Sequence, residues 1–281
     1  MGRLTVVGVG LVGGSVAWGA KQRGLAREVV GVDTDRAASR LAVDQGIVDA
    51  VVSPADGVRG ADVVVLAVPV GRLEAVAREV APFVDRATVV TDVGSVKAPV
   101  VANLEPLFAR FVGGHPMAGS ERSGVAAASA DLFAGARCVL TPTPSTEAGA
   151  IAAVEGLWSA LGASVVRMEP AVHDDLVAAV SHVPHLVAAA LVNAAAHAAD
   201  GRALTLAAGG FRDTTRVAGG SPDLWRDICL MNRGPVLAML KSYLKEVESI
   251  RDAIERGDDG ALLNALARAR AARDRVPGGE A

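Results

Sequence analysis

The stretch Leu4-Thr5-Val6-Val7-Gly8-Val9-Gly10-Leu11-Val12-Gly13 decides the fold. An apolar, β-branched run, residues 4–9, breaks into glycines spaced Gly-x-Gly-x-x-Gly, and a helix-period segment, 12–23, follows and closes at Gly24. Strand, glycine turn and helix in that order open a dinucleotide-binding βαβ unit. The glycines allow a tight turn, close approach of a pyrophosphate and close strand–helix packing, with phosphate charge at a helix N-terminus. Asp33 stands 20 residues beyond Gly13, at the end of the next apolar run. A carboxylate there accepts hydrogen bonds from a ribose diol and repels a 2′-phosphate. NAD is therefore favoured over NADP, a preference that nearby Arg36 weakens without reversing. The candidate cofactor contacts are Gly8, Gly10, Leu11, Val12, Gly13 and Asp33, with Val68 and Pro69 at the end of a later strand.

Outward from this unit, residues 28–32, 50–52, 63–68, 88–93, 137–141 and 164–167 have strand character, and 36–45 and 72–80 helix character. Apolar runs without alternation are expected in a parallel sheet covered by helices on both faces. After Pro170 the pattern changes to helix-period segments, 173–199, 222–256 and 260–273, with no convincing strand. The sequence thus predicts an α/β N-terminal Rossmann-like doubly wound sheet over residues 1–170 and an all-α C-terminal domain over 171–281.

Composition narrows the function. The 281 residues are 51% hydrophobic and 21% charged, too apolar for a disordered chain. A net charge of −3 with scattered lysines and arginines lacks the clustered basic face of a nucleic-acid binder. Cys138 and Cys229 lie too far apart in sequence for a disulfide framework or zinc site, and the N-terminus lacks an export signal, so a cytoplasmic location is expected. Residues 176–199 contain no Asp, Glu, Lys or Arg, but Ser181, His182, Pro184, His185, Asn193 and His197 interrupt them. That many polar groups would need partners in lipid, so a helix buried among helices is expected and no membrane span.

The polar residues that interrupt apolar segments carry the chemistry. Thr91-Asp92-Val93-Gly94-Ser95-Val96-Lys97 leaves a buried strand at its carboxyl end, where doubly wound sheets bind ligands. Gly113-Gly114-His115-Pro116 reads as a histidine on a glycine-flanked loop, suited to proton transfer near neutral pH. Arg212 and Arg216 lie four apart, on one face if helical, within a segment that paired glycines at 209–210 and 219–220 make loop-like. His182 and His185 flank Pro184 inside the charge-free helix, where the proline frees carbonyls and bends the chain. Metal ligation by these histidines, with His173 or His115, is disfavoured because helical metal signatures add a carboxylate or more histidines at fixed spacing.

Six motifs occur in order: GVGLVGGS at 8–15, VVLAVPV at 64–70, TDVGSVK at 91–97, GGHPMAGSERSG at 113–124, SHVPH at 181–185 and GGFRDTTRVAGGSPDLWRDI at 209–228. Together they resemble the prephenate/arogenate dehydrogenases of tyrosine biosynthesis, over about residues 4–254. The resemblance implies a Rossmann domain, a helical dimerisation domain in a homodimer, and oxidative decarboxylation of prephenate or arogenate with NAD(P). It also implies that His115 is the base and that Ser95 hydrogen-bonds His115 or the substrate hydroxyl. Arg216, and secondarily Arg212, would clamp carboxylate, His185 would bind the substrate's side-chain end, and Trp225 would line the pocket or pack between helices. Glu121 and Asp213 stand unranked as acids that distinguish the keto from the ammonium substrate.

The chemistry suits those residue types. Prephenate is a non-aromatic ring with a hydroxyl at carbon four, a ring carboxylate and a pyruvyl side chain. Its oxidation needs a base at one end of the ring and cations for the carboxylates, and guanidinium offers a planar, permanently charged fork. The 3-hydroxyacid and 6-phosphogluconate dehydrogenases share this domain plan but need a lysine early in the helical domain. Here the lysines are Lys21, Lys97, Lys241 and Lys245. A non-catalytic dinucleotide sensor would lack the base altogether.

Overall fold

Eight strands form one sheet: β1 (Arg3–Val7), β2 (Glu28–Val32), β3 (Ala50–Val51), β4 (Val63–Leu66), β5 (Val89–Asp92), β6 (Phe111–Pro116), β7 (Arg137–Thr141) and β8 (Ser164–Arg167). The computed structural model describes residues 1–119 and 122–276. The strand order is β3-β2-β1-β4-β5-β6-β7-β8. Strands β1 to β6 run parallel, β7 turns antiparallel to β6, and β8 is parallel to β7. The expected all-parallel sheet is therefore mixed at one edge. The first six strands keep the doubly wound order, which puts their carboxyl ends along one ligand-binding edge.

Helices α1 (Leu11–Gln22), α2 (Arg36–Asp44), α3 (Pro54–Val58), α4 (Leu73–Val80), α5 (Ala98–Leu104) and α6 (Ala148–Ala160) connect the strands. Successive strand residues point to opposite faces, and each face has its own core. Val6, Val63, Val65 and Val89 pack with Val16 and Ala20 of α1 and Val154 and Trp158 of α6. Val7, Val64, Leu66 and Val90 pack with Leu73 and Val80 of α4 and Val101 and Leu104 of α5. Burying each such valine or leucine contributes about 1.5–3 kcal/mol, so both faces of the sheet are bonded by area.

Strand β6 corrects the loop reading of His115. Glycines 113 and 114 serve close approach inside the sheet, not a turn. A Cβ on Gly113 would meet Thr141 Oγ1 at 2.5 Å, and one on Gly114 would meet the Asp92 carbonyl at 2.8 Å. Such crowding selects glycine within a strand.

Beyond β8 the first compact unit, residues 1–233, continues in α7 (Pro170–Val177), α8 (Val183–His197), α9 (Gly209–Thr215) and α10 (Pro222–Met231). A π-turn, Ala178–His182, joins α7 to α8. It lies just before Pro184, whose missing N–H breaks the regular ladder, and it widens the helix in the turn that ends at His182. The segment at 209–216 is helical and not loop-like: α9 ends at Thr215, and a 3₁₀ turn, Arg216–Gly219, follows. The single helix expected over 222–256 is broken after Met231. Pro235 has no N–H to donate to the Met231 carbonyl, and proline is tolerated only in the first turn of the next helix.

The second unit, 234–281, consists of most of α11 (Arg233–Arg256) and of α12 (Asp259–Arg273), whose N-terminus Asp258 caps through the Ala261 N–H at 2.9 Å. Leu244, Val247, Ile254, Leu263 and Leu266 are exposed on it. In the first unit, Pro170–His197 is long and apolar enough by length and composition to cross a membrane, and a third of its most apolar window is buried.

Candidate active site

The glycine turn is held by backbone and one carboxylate. Gly8 has φ +95°, a conformation L side chains rarely adopt, and its N–H donates to Val32 O at 2.8 Å. A Cβ on Gly13 would collide with the Gly8 carbonyl, whereas nothing lies within 4 Å of a Cβ on Gly10. Gly13 thus packs helix on strand, and Gly10 leaves open backbone beside the N-terminus of α1. Asp33 Oδ2 accepts from the Val9 N–H at 2.7 Å and Oδ1 from the Asp35 N–H at 2.8 Å. A cavity of about 390 Å³ lies here, bordered by Gly8, Gly10, Asp33, Val68 and Pro69, with Arg72 on its wall. Open backbone, a bare helix N-terminus and an anchored carboxylate fit a dinucleotide. Leu11 and Val12 begin α1, and Leu11, Val12 and Gly13 do not border the cavity.

His115 stands at the carboxyl end of β6, on the same edge of the sheet, and is only 9% exposed. Its Nδ1 lies 2.8 Å from Nε2 of His173, a fully buried residue of α7. His173 Nδ1 lies 2.8 Å from Asp174 Oδ1. Asp174 in turn accepts the backbone N–H groups of Lys97, at 2.7 Å, and Ala98, at 2.8 Å, where α5 begins. Asn232 Nδ2 donates to the Asp174 carbonyl at 2.9 Å and reaches His182 Nδ1 at 3.0 Å. His182 meets Trp225 edge to face, and Trp225 stacks on His185 with centroids 3.6 Å apart. A Cβ on Gly220 would strike Trp225 Nε1 at 2.6 Å, which explains a glycine beside that stack.

Burial lowers three histidines of this cluster, His115, His182 and His185. Burial first, then proximity to His173, Lys97 and His182, holds His115 well below the ordinary histidine value. Burial pushes His182 down to about 4 and lowers His185 as well. Lys97 and Asp92 form a fully buried ion pair, and Lys97 Nζ also donates to the Gly114 carbonyl at 2.7 Å. Burial lowers the Lys97 ammonium while Asp92 opposes that shift. Asp92 Oδ1 accepts the Gly114 N–H at 3.1 Å and Oδ2 the Gly94 N–H at 2.8 Å. This pair ties both backbone groups of Gly114, next to His115, to the end of β5.

Of the residues expected at the site, His115, His185 and Trp225 join one continuous set of contacts through His173, Asp174, Asn232 and His182. Ser95 is half-buried on the same β5–α5 segment as Lys97. Arg212 and Arg216 are exposed on α9 and the turn after it. Glu121 lies outside the described residues, and Asp213 is exposed on α9. The sequence reading did not give a role to His173, Asp174, Asn232 or the Asp92–Lys97 pair. The only local signal was an adjacent His–Asp pair in the middle of a short helix otherwise rich in apolar residues. Among the described residues no three His, Cys, Asp or Glu side chains are grouped to hold a metal ion.

A doubly wound sheet with an open glycine turn, and a buried neutral imidazole on the same edge, define a dinucleotide-dependent dehydrogenase. Known proteins give the same answer. Residues 16–167 match the prephenate dehydrogenase nucleotide-binding domain and 169–268 the prephenate dehydrogenase dimerization domain. The chain is 37% identical to the prephenate dehydrogenase of Bacillus subtilis, over 98% of this chain and 76% of that one. It is 34% identical to the cyclohexadienyl dehydrogenase of Zymomonas mobilis, over 92% and 91%. The solved prephenate dehydrogenase of A. aeolicus, in complex with hydroxyphenyl propionate and NAD+, superposes with a TM-score of 0.92 at 34% identity, over 97% of each chain. The chain belongs to the prephenate dehydrogenase family.

Proposed function

We propose that this chain oxidises and decarboxylates prephenate, or arogenate, with NAD as the acceptor, acting as a cytoplasmic homodimer in tyrosine biosynthesis. The observation that carries the reading is His115: a buried imidazole, held neutral, on the ligand-binding edge of a dinucleotide-binding sheet. Residues 1–170 would hold the nucleotide, and 171–281 would supply the substrate's other contacts and the dimer surface. The exposed Leu176, Val180 and Leu191 of the 170–197 segment suit burial against a second copy.

Gly8, Gly10 and the first N–H groups of α1 would receive the pyrophosphate, and Asp33 the ribose diol. Bound NAD supplies the hydride acceptor. His115 takes the proton of the carbon-four hydroxyl, which it can do only while neutral. The ring carboxylate then leaves as carbon dioxide, its bonding electrons complete an aromatic ring, and His115 returns the proton to the phenol oxygen. The net reaction releases no proton, so the base acts as a lender. Arg216 and Arg212 would hold carboxylate through bidentate bonds, His185 would donate to the side-chain end, and Trp225 would give that end a flat wall. Ser95 would turn its hydroxyl to His115 or to the substrate hydroxyl.

The test is absorbance of NADH together with trapped carbon dioxide, with prephenate and arogenate each offered with NAD and NADP. One carbon dioxide per NADH from either substrate supports the reading; NADH from neither overturns it.

A further inference from the structure

We propose that His173 and Asp174 are positioning residues for the base: Asp174 holds His173 as its Nδ1–H tautomer, and His173 Nε2 accepts the Nδ1 proton of His115, which leaves His115 Nε2 as the basic nitrogen. The proposal rests on the reading of His115 as base.

The donors and acceptors leave little choice of direction. A carboxylate only accepts, and both Asp174 oxygens already receive backbone N–H groups from Lys97 and Ala98. The contact of His173 Nδ1 with Asp174 Oδ1 at 2.8 Å must therefore be an N–H donated by His173. In a neutral His173 the other nitrogen, Nε2, then carries a lone pair. His115 Nδ1, 2.8 Å away, has to donate to it, and the tautomer of His115 follows.

The same chain serves turnover. When His115 accepts the hydroxyl proton at Nε2, its Nδ1 proton can move to His173 Nε2, and the charge then sits beside the Asp174 carboxylate. The proton moves back as the phenol oxygen is reprotonated, so every proton is returned. Three elements fix the chain: β6 carries His115, the start of α5 fills Asp174, and Asn232 holds the Asp174 carbonyl. The ionisable groups that face it are Lys97 and Asp92 from the β5–α5 segment, His182 from the π-turn, and Cys138 from β7.

Two substitutions separate this role from packing. His173→Phe keeps a ring but gives His115 no acceptor, whereas His173→Gln fits less well but offers an oxygen. We expect His173→Phe to lower kcat about 10²-fold or more, and His173→Gln to recover at least about tenfold of that loss. KM for prephenate and Kd for NAD should stay within about threefold of the wild-type values in both. A packing role predicts the opposite order, with His173→Phe the better enzyme, and that order overturns the proposal. Nitrogen-15 spectra of histidine-labelled wild-type protein give a second test that needs no variant. They should show His173 and His115 each protonated at Nδ1, and a His173 protonated at Nε2 alone overturns the proposal. His115→Ala keeps the two readings apart. If it retains turnover, the base assignment fails; if it loses turnover while His173→Phe does not, only the positioning role fails.

Discussion

The glycine turn at Gly8–Gly13 and the histidine cluster around His115 solve different problems with different materials. The turn is local: two strand ends, one helix start and one carboxylate, with Asp33 bonded to Val9 and Asp35. Its specificity lies in missing side chains, since a Cβ at Gly13 has no room. The cluster is the reverse. It gathers polar side chains from β6, the β5–α5 segment, α7, the π-turn and Asn232, and almost every one is buried. A nucleotide site can be made from backbone because every dinucleotide presents the same phosphates. A site that must move one proton on one ring needs side chains whose partners fix their tautomers.

If that contrast is right, the cluster should be far more sensitive to single substitutions than the turn. The largest expected effect is in His115→Ala: turnover should fall about 10²-fold or more while NAD affinity, measured by calorimetry, changes little. A fall of less than tenfold would place the base elsewhere. Next comes the buried ion pair. Lys97→Met leaves Asp92 charged and without its cation, which should cost about 3–5 kcal/mol in urea unfolding; a cost below about 1 kcal/mol would mean the pair is not formed.

The two regions were unequally legible in the sequence, for the same physical reason. The turn reads out because its parts are consecutive and because glycines at that spacing have few other uses. Even so, glycines 113 and 114 misled: inside β6 they admit Thr141 and Asp92, a crowding that only tertiary structure reveals. His115 itself was recognisable as a residue type in a motif. Its partners were not, because His173 is 58 positions away and Asp174 meets the N–H groups of residues 97 and 98 only when α5 and α7 pack. The break after Met231 has a local signal in Pro235, which the period-based reading of 222–256 did not use. Asn232, placed at that break, is what ties His182 to Asp174.

Smaller effects sharpen the contrast at the edges of each region. Arg216→Lys keeps the charge but loses the fork, so KM for prephenate should rise about tenfold with a smaller change in kcat. A loss confined to kcat would remove Arg216 from carboxylate binding. Asp33→Ser should shift the ratio of NADP to NAD use by about tenfold toward NADP, with weaker nucleotide binding overall, because serine cannot hold both the Val9 and Asp35 N–H groups. An unchanged ratio would mean that another group reads the ribose.

The most direct measurement is the pH dependence of kcat/KM for prephenate. A base held below the ordinary histidine value of about 6.5 stays deprotonated at neutral pH, and activity is lost only as pH falls through its lowered value. The profile should therefore be level from neutral pH down past 6.5, with a single acidic limb below it that is absent from the residual activity of His115→Ala. A limb at or above 6.5, or one that His115→Ala leaves in place, would contradict a buried, neutral His115 as the group that takes the proton.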